Sequence, residues 1–363
     1  MSGRFARGLV VGKFCPLHRG HELLIRHALE RCDTVTLVSY TQPEFPGCGP
    51  AVRELWLAEA FPAADRLVVD DALLAAACAE RGLPARRVPD NDAPASEHRT
   101  FVAWLLLAVR GETVDAVFTS EDYGDGFAAL LTDVFRGAGF ATPVRHVCVD
   151  PARTQVPISG TAIRADVHGQ RAHLAPHVYA SFIERVCFLG GESTGKTTLA
   201  EEMAARLGTA WVPEYGRELW ERKDGKLVFE DMVEIGRAQC AREDALALRA
   251  RRWLFCDTSP LTTLLYSRFM FGRADPRLEE MAERPYDHLV LCAPDFAFVT
   301  DGTRQDEPFQ RRQHEWYLRE LGRRGLAFHL VEGGPEQRVA RVCALLGAAS
   351  FVTGARAAPG AGT

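Results

Sequence analysis

The loop GKFCPLHRGH, residues 12–21, holds the first side chains that could do chemistry. His18 and His21 are three residues apart, a spacing that places both on one side of a helical turn. Imidazole groups, a lysine and the N–H groups of a helix N-terminus all stabilise negative charge. We therefore predict a site that binds phosphate groups, with Lys13, Gly12 and Phe14 beside the two histidines. The two histidines could instead cap a helix on a solvated surface, and the loop alone leaves that alternative open.

A second loop, GGESTGKTT at residues 190–198, matches the pattern Gly-x-x-x-x-Gly-Lys-Thr. It follows the apolar run RVCFL and opens a helical pattern. Gly190 and Gly195 let backbone N–H groups face phosphate oxygens. Lys196 is predicted to reach the β- and γ-phosphates, Thr197 to bind Mg²⁺, and Thr198 to contact the nucleotide. The pattern indicates a P-loop that binds ATP.

Further residues of the second half could complete a phosphoryl-transfer site. Asp257 ends the apolar run WLFCD, where a carboxylate can hold Mg²⁺ or simply cap a strand end. Glu214 follows the run AWVP and could orient an acceptor hydroxyl, or be an ordinary helix cap or solvated acid. Arg304, Arg311 and Arg312 could close over ATP, although exposed arginines are common on helices.

Short apolar runs alternate with helical patterns along the whole chain, which predicts an α/β fold with parallel sheets. In the first half the predicted strands are residues 8–12, 34–40, 66–70, 115–120 and 144–150. In the second half they are residues 185–191, 210–213, 253–257, 288–292 and 326–333. We expect one domain at 1–183, a second at 184–350, and a disordered tail at 351–363.

The composition narrows the class of protein. The 363 residues are 47% hydrophobic and 25% charged, as in a globular chain of about two domains. A net charge of −5 does not favour binding of nucleic acid through the electrostatic field of the whole protein. Ten cysteines without a C-x-x-C pair predict a reducing cytoplasm, and no signal peptide or membrane-spanning apolar stretch is expected. Since no segment precedes residue 8, no N-terminal helix-turn-helix and no DNA binding are expected.

The stretch YGDGFAA, residues 123–129, fits the dinucleotide fingerprint G-x-G-x-x-A after a predicted strand. Glu121, Asp122 and Asp125 would place negative charge where a pyrophosphate should bind, and the strand is the fourth of its half. We therefore do not interpret it as a dinucleotide site: Asp122 or Tyr123 could border a nucleotide pocket, and an ordinary turn is an equal alternative.

The loop GKFCPLHRGH resembles the H-x-G-H signature of nucleotidyltransferases, in which an acceptor attacks the α-phosphorus of a nucleoside triphosphate and pyrophosphate leaves. The stretch ISGTAIR, residues 158–164, resembles their second motif. There Ser159 and Thr161 supply hydroxyl groups at a helix start, and Arg164 can hold β- or γ-phosphate oxygens. The resemblance implies a Rossmann-like nucleotidyltransferase domain followed by a P-loop kinase domain.

Both motif sets on one chain resemble the NadR-type bifunctional nicotinamide-nucleotide adenylyltransferase and ribosylnicotinamide kinase family. The motifs TSEDYGD, VPEYGRE, FCDTSPLTT and DGTRQDE add to this resemblance, which spans roughly residues 8–348. It implies that the second domain uses ATP and Mg²⁺ to phosphorylate nicotinamide riboside to its mononucleotide (NMN). The first domain would then adenylylate NMN to NAD and release pyrophosphate. The partners expected are these small molecules, with no membrane, and the question of a homo-oligomer stays open.

Two alternatives stay open. The same two domains could serve another acceptor, such as a pantetheine or a pyridine analogue, or the chain could be a regulator that senses ATP or NAD. A nicotinamide ring would need an aromatic partner, for which Trp104, Tyr215 and Trp220 are candidates. Each of these aromatic side chains could instead fill a core.

Overall fold

A computed structural model describes residues 4–121, 123–295 and 307–347 of the chain. The chain divides into two compact units, Met1–Phe182 and Ile183–Thr363. Arg304, Asp122 and the predicted tail at 351–363 lie outside the described residues. No helix of the described part is long and apolar enough to cross a membrane.

The first unit contains a five-stranded sheet in which every neighbouring pair of strands is parallel. Its strands are β1 (Phe5–Val11), β2 (Cys32–Tyr40), β3 (Asp65–Val69), β4 (Ala116–Thr119) and β5 (Arg145–Cys148). The order across the sheet is β3-β2-β1-β4-β5. Central strand β1 has neighbours on both edges, and its Leu9 and Val10 are fully buried, as a continuous apolar run predicts.

Seven α-helices connect and cover this sheet. They are α1 (Arg19–Arg31), α2 (Pro50–Ala60), α3 (Asp71–Glu80), α4 (Ala95–Trp104), α5 (Gly124–Gly137), α6 (Gly160–Ala165) and α7 (Pro176–Tyr179). A π-helical segment, Leu105–Arg110, continues α4, and 3₁₀ turns lie at Arg171–His173 and Ala180–Phe182. The core between the sheet and helices α4 and α5 is built from residues such as Leu9, Phe101, Val117 and Phe135.

The second unit has a parallel five-stranded sheet of its own, with the order β10-β9-β6-β8-β7. The strands are β6 (Glu184–Leu189), β7 (Ala210–Val212), β8 (Trp253–Asp257), β9 (His288–Cys292) and β10 (His329–Val331). The helices are α8 (Lys196–Leu207), α9 (Tyr215–Arg222), α10 (Asp231–Ala247), α11 (Pro260–Phe271), α12 (Pro276–Met281), α13 (Glu307–Arg324) and α14 (Pro335–Leu345).

In the part of the chain that the structure describes, all ten strands overlap the segments predicted from the sequence, and the α/β class with two parallel sheets is confirmed. In each unit the central strand, β1 or β6, is where the strand order reverses, and its carboxyl end opens into one of the two motif loops. Ligands of open parallel sheets bind at such a reversal, beyond the carboxyl ends of the strands. The topology therefore places both loops where a nucleotide would be expected.

Candidate active sites

The two histidines of the first loop form a reciprocal cap on helix α1. His18 is the N-cap residue, and its Nδ1 accepts hydrogen bonds from the backbone N–H groups of Gly20 at 3.2 Å and His21 at 3.3 Å. The Nδ1 atom of His21 in turn accepts from the backbone N–H of His18 at 3.4 Å. The rings are stacked with centroids 3.6 Å apart. The spacing thus acts as a capping box with imidazoles in place of the usual hydroxyl and carboxyl groups.

This cap fixes the tautomer of His18. Because Nδ1 accepts hydrogen bonds, the ring proton is assigned to Nε2. That Nε2 atom lies 3.9 Å from the point where a Cβ atom on Gly160 would stand, so it faces the ISGTAIR segment. Burial, followed by the charge of Arg153, lowers the pKa of His18 to about 4. The side chain is therefore a neutral hydrogen-bond donor at neutral pH.

The backbone next to these histidines is shaped by Phe14. Its φ is +49°, its ring is fully buried, and it meets the His21 ring edge-on with centroids 5.0 Å apart. A Cβ atom on Gly12 would lie 2.7 Å from the Phe14 ring, so only glycine fits there without a shift. Burial and the neighbouring His18 lower the pKa of His21 well below its usual range.

Lys13 and Arg164 bring two positive charges to the same loop. Lys13 is exposed and donates from Nζ to the carbonyl of Asn91 at 3.1 Å. Arg164 donates to the carbonyl of Cys15 at 2.7 Å and to Thr161 Oγ1 at 3.0 Å. Both cations lie over the Phe45 ring, with Lys13 Nζ at 5.8 Å and the guanidinium carbon of Arg164 at 4.2 Å from its centroid. Partial desolvation and the Arg164 charge lower the pKa of Lys13.

The ISGTAIR segment starts helix α6, as predicted. Ser159 is its N-cap residue and accepts from the N–H of Ala162 at 3.2 Å. The Arg164 side chain crosses over the start of this helix, since a Cβ atom on Gly160 would lie 3.1 Å from Nη1 of Arg164. The segment and the first loop are therefore joined although about 140 residues separate them in sequence.

A cavity of about 590 Å³ lies between these elements. The predicted residues that line it are Gly12, Lys13, Phe14, His18, His21, Ser159, Thr161 and Arg164. The sequence did not single out Arg153, which also lines the cavity and pairs with Glu121 at 2.9 Å. The signal in the sequence that could have identified Arg153 is its position as a lone arginine between β5 and the ISGTAIR segment. Tyr123, one of the two residues predicted as candidates to border a nucleotide pocket, lines the cavity too.

The dinucleotide-like fingerprint has a packing explanation. A Cβ atom on Gly124 would lie 2.0 Å from Nε2 of His146, so the glycine makes room for that ring. His146 bridges Asp125 at 2.8 Å and Thr119 Oγ1 at 2.8 Å. The glycine and the acid therefore serve the contact between α5 and β5, and residues 124–129 begin helix α5 rather than form a turn.

The P-loop of the second unit has the expected glycine geometry. Gly190 and Gly195 have φ values of +143° and +76°, and a Cβ atom on Gly190 would lie 2.8 Å from the carbonyl oxygen of Cys292. Helix α8 begins at Lys196, and Thr198 is exposed in its first turn. The buried Arg338 of α14 donates to the carbonyl of Thr194 at 2.7 Å, and this hydrogen bond stabilises the backbone of the loop.

Lys196, Thr197 and Asp257 meet at the carboxyl ends of β6 and β8. Lys196 Nζ donates to the carbonyl of Gly191 at 2.8 Å, and the Thr197 hydroxyl donates to Asp257 Oδ2 at 2.6 Å. The other carboxylate oxygen of Asp257, Oδ1, is buried without a hydrogen-bond partner in the described part of the chain. Burial raises the pKa of Asp257, and the Lys196 charge opposes this effect.

Glu214 occupies the N-cap position of α9, but its carboxylate makes no capping hydrogen bond. Burial and the nearby Asp257 raise the pKa of Glu214 to about 7, while the Lys196 charge lowers it. The Glu214 side chain lines a cavity whose wall also includes Glu192 of the P-loop. This geometry disfavours the alternatives of an ordinary cap or a solvated acid.

Helix α13 meets the P-loop through two glutamines that the sequence did not reveal. Gln310 donates to the carbonyl of Glu192 at 2.6 Å, and Gln313 accepts from the Glu192 N–H at 2.8 Å. Both glutamine side chains are buried. Arg311 and Arg312 are exposed on the same helix, and the described contacts bring neither to the P-loop.

A second cavity of about 160 Å³ lies beside the P-loop. Its lining includes Glu192, Glu214, Arg217, Trp220 and Tyr266.

Of the aromatic candidates, Trp220 lines the second cavity, whereas Trp104 and Tyr215 line neither of these two cavities. Trp104 packs instead against Phe101 with centroids 6.0 Å apart. The hydroxyl of Tyr215 donates to Glu234 at 2.9 Å.

No group of three or more His, Cys, Asp or Glu side chains forms a metal cluster in the described part of the chain.

The fold and its two loops define a two-domain α/β protein, with a nucleotidyltransferase-type unit followed by a P-loop kinase-type unit. A family profile described as an AAA domain matches residues 185–338. The trifunctional NAD biosynthesis/regulator protein NadR of Escherichia coli (strain K12) is 27% identical over 319 residues, which cover 82% of this chain and 71% of the relative.

Two crystal structures of NadR share the fold over nearly the full length. One, in complex with NR, has a TM-score of 0.69 and 21% identity and covers 99% of each chain. The other, in complex with NAD and AMP-PNP, has a TM-score of 0.66 and 19% identity, covering 98% of this chain and 99% of its own. The chain is thus similar in sequence to NadR proteins and shares their two-domain fold over nearly the full length.

Proposed function

We propose that the chain is a bifunctional enzyme of NAD salvage. The kinase-type domain, residues 184–350, phosphorylates nicotinamide riboside to NMN with ATP. The nucleotidyltransferase-type domain, residues 1–183, joins NMN to the adenylyl group of a second ATP and releases pyrophosphate. The observation that carries the proposal is the presence, on one chain, of two motif loops at the reversal points of two parallel sheets. The name and ligands of the NadR relatives support the choice of substrates.

In adenylyl transfer, a phosphate oxygen of NMN attacks the α-phosphorus of ATP, and the bond to the bridging oxygen of pyrophosphate breaks. The nucleophile already carries charge, so the protein has to align the reactants and stabilise negative charge. Nε2–H of His18 and the neighbouring His21 would donate to the phosphate oxygens of ATP. Arg164 would hold the leaving pyrophosphate, and Lys13 the acceptor phosphate.

In phosphoryl transfer, a hydroxyl oxygen of the riboside attacks the γ-phosphorus of ATP, and ADP leaves. Glu214 is the group that would orient this hydroxyl and take its proton, and a pKa of about 7 suits a base working near neutral pH. The N–H groups of the P-loop and the Lys196 ammonium would stabilise the β- and γ-phosphates. Arg311 stays a proposed nucleotide contact, supported only by its position on α13.

The residues around Asp257 fit a magnesium ion. The unpartnered Asp257 Oδ1 is a buried oxygen beside the Thr197 hydroxyl, and hard oxygen ligands are what Mg²⁺ requires. Thr197 and Asp257 would hold the ion, which when bound neutralises phosphate charge. We also propose a cytoplasmic location, supported by the ten cysteines, which are all free thiols.

The direct test supplies purified protein with ATP, Mg²⁺ and nicotinamide riboside and follows the products by mass spectrometry. NMN and NAD should both form, and the absence of both would contradict the proposal. His21→Ala should block only the second step, so that NMN accumulates while riboside phosphorylation continues. Loss of both steps in a folded His21→Ala protein would contradict the assignment of the two reactions to separate sites.

A further inference from the structure

The P-loop carries a carboxylate that faces the cavity beside it. Glu192 is the third residue of the loop at 190–197, and its side chain lines the cavity together with Glu214 and Arg217. The hydroxyl of Tyr266 donates to Glu192 Oε1 at 3.0 Å. Glu192 and Glu214 line this one cavity, and the Glu192 charge adds to the effects that raise the pKa of Glu214.

Helices α11 and α13 hold Glu192 in this position at three points. Gln313 accepts from its N–H and Gln310 donates to its carbonyl, both from buried side chains of α13. Tyr266 of α11 holds the carboxylate itself. A side chain fixed at its backbone and its tip has few rotamers left, which is how proteins position a group for recognition.

A carboxylate held in this position is unfavourable for binding a triphosphate unless another interaction compensates for its charge. It stands next to the site of a triphosphate, where like charges repel each other. On its other side Glu192 faces the cavity beside the P-loop, where the acceptor would bind. The described lining of this cavity has two carboxylates, those of Glu192 and Glu214, and one guanidinium, that of Arg217. A negatively charged wall favours a positively charged ligand in a partly desolvated cavity.

We propose that Glu192 is a specificity-determining residue, which selects an acceptor riboside whose ring carries a positive charge. The inference rests on the proposed kinase function and adds a criterion for its substrate. The pyridinium ring of nicotinamide riboside is such a cation. Benzamide riboside has nearly the same shape but a neutral ring. A comparison of the two ribosides therefore measures the effect of the ring charge.

The test compares the two ribosides as substrates of the full-length wild-type protein and of Glu192→Gln. ADP release gives kcat/KM for each acceptor, and KM for ATP is measured alongside. The wild type should prefer the cationic acceptor, and Glu192→Gln should reduce that preference by about 10- to 100-fold, as expected for one lost charge pair in a partly screened site. Glutamine keeps an oxygen that can accept from Tyr266, so the loop should keep its geometry.

Two further variants serve as controls. Glu202→Gln removes the same charge from α8, where Glu202 pairs with Arg206, and should leave the preference unchanged. Glu192→Asp keeps the charge and should retain more of the preference than Glu192→Gln.

An equal loss for both acceptors in Glu192→Gln, or a preference equal to that of the wild type, would overturn the inference and leave the kinase function standing. A wild-type protein that binds ATP but phosphorylates neither riboside would overturn the proposed function and this inference together.

Discussion

Replacing His18 by asparagine should separate two roles that one imidazole performs. Its Nδ1 atom caps helix α1 through the N–H groups of Gly20 and His21, while Nε2–H faces the cavity. An asparagine oxygen can accept from the same N–H groups, since asparagine is among the best N-cap residues. It is too short to place a donor where Nε2 stands. Alanine supplies neither group.

The two roles have different magnitudes. Loss of an N-cap side chain costs about 1 kcal/mol of helix stability, so His18→Ala should destabilise α1 by that amount and His18→Asn should not. Loss of one preorganised donor to transition-state charge lowers turnover by about 10²- to 10³-fold. Both variants should therefore lose NAD formation to a similar degree, and only the alanine variant should loosen the helix.

NAD formation from supplied NMN and ATP can be followed by coupled reduction to NADH. Hydrogen exchange of peptides covering residues 19–31 reports the stability of α1, where about 1 kcal/mol corresponds to a several-fold change in protection. Riboside phosphorylation in the second unit serves as an internal control and should not change. Nearly wild-type NAD formation by His18→Asn would refute the role of Nε2. Equal protection of α1 in the two variants would refute the role of the cap.

Three further predictions concern other parts of the two units. Lys196→Ala should lower riboside phosphorylation at least 10²-fold and leave NAD formation from NMN unchanged, as measured by mass spectrometry; loss of both would contradict separate sites. In an NMR titration the ring signal of His18 should move near pH 4 in the folded protein, against about 6.5 when unfolded. Since the unfolded chain then binds the extra proton, the unfolding free energy should fall by up to about 3 kcal/mol as the pH drops from 6.5 to 4, and a folded-state titration near 6.5 would contradict this. Gly124→Ala should lower the stability by about 1–3 kcal/mol because its Cβ would meet His146, whereas Gly137→Ala on the same helix has open space and should raise it by about 0.5 kcal/mol; thermal unfolding of both variants compares them.

The strands and the two loops could be predicted because their signals are local. Buried parallel strands are continuous apolar runs, and both motif loops follow such runs directly. The end of α1 shows the limit of this approach. The spacing of apolar residues extends the helical face to Cys32, but the helix ends at Arg31 and Cys32 begins β2 in an extended conformation. Periodicity does not distinguish the last buried position of a helix from the first of a strand.

The contacts missed from the sequence join residues far apart along the chain. Tyr266 and Gln313 reach Glu192 across 74 and 121 residues. Glu192 occupies a variable position of the P-loop pattern, so the pattern itself assigns it no role. The sequence could not choose among the aromatic candidates for a related reason, since Trp104 fits a core as well as a ligand site and only packing decides between them.

The first loop shows why the capping and catalytic interpretations of His18 need not compete. A histidine at an N-cap must turn one ring nitrogen, as an acceptor, toward the N–H groups of the first helical turn. The proton then belongs on the opposite nitrogen, which points away from the helix toward the region where its N-terminus attracts anions. Capping thus prepares the donor by fixing both the tautomer and the direction of Nε2–H. A surface cap would have the same geometry, and what distinguishes this one is its burial beside Arg164 and Ser159 in a cavity that the sequence alone did not reveal.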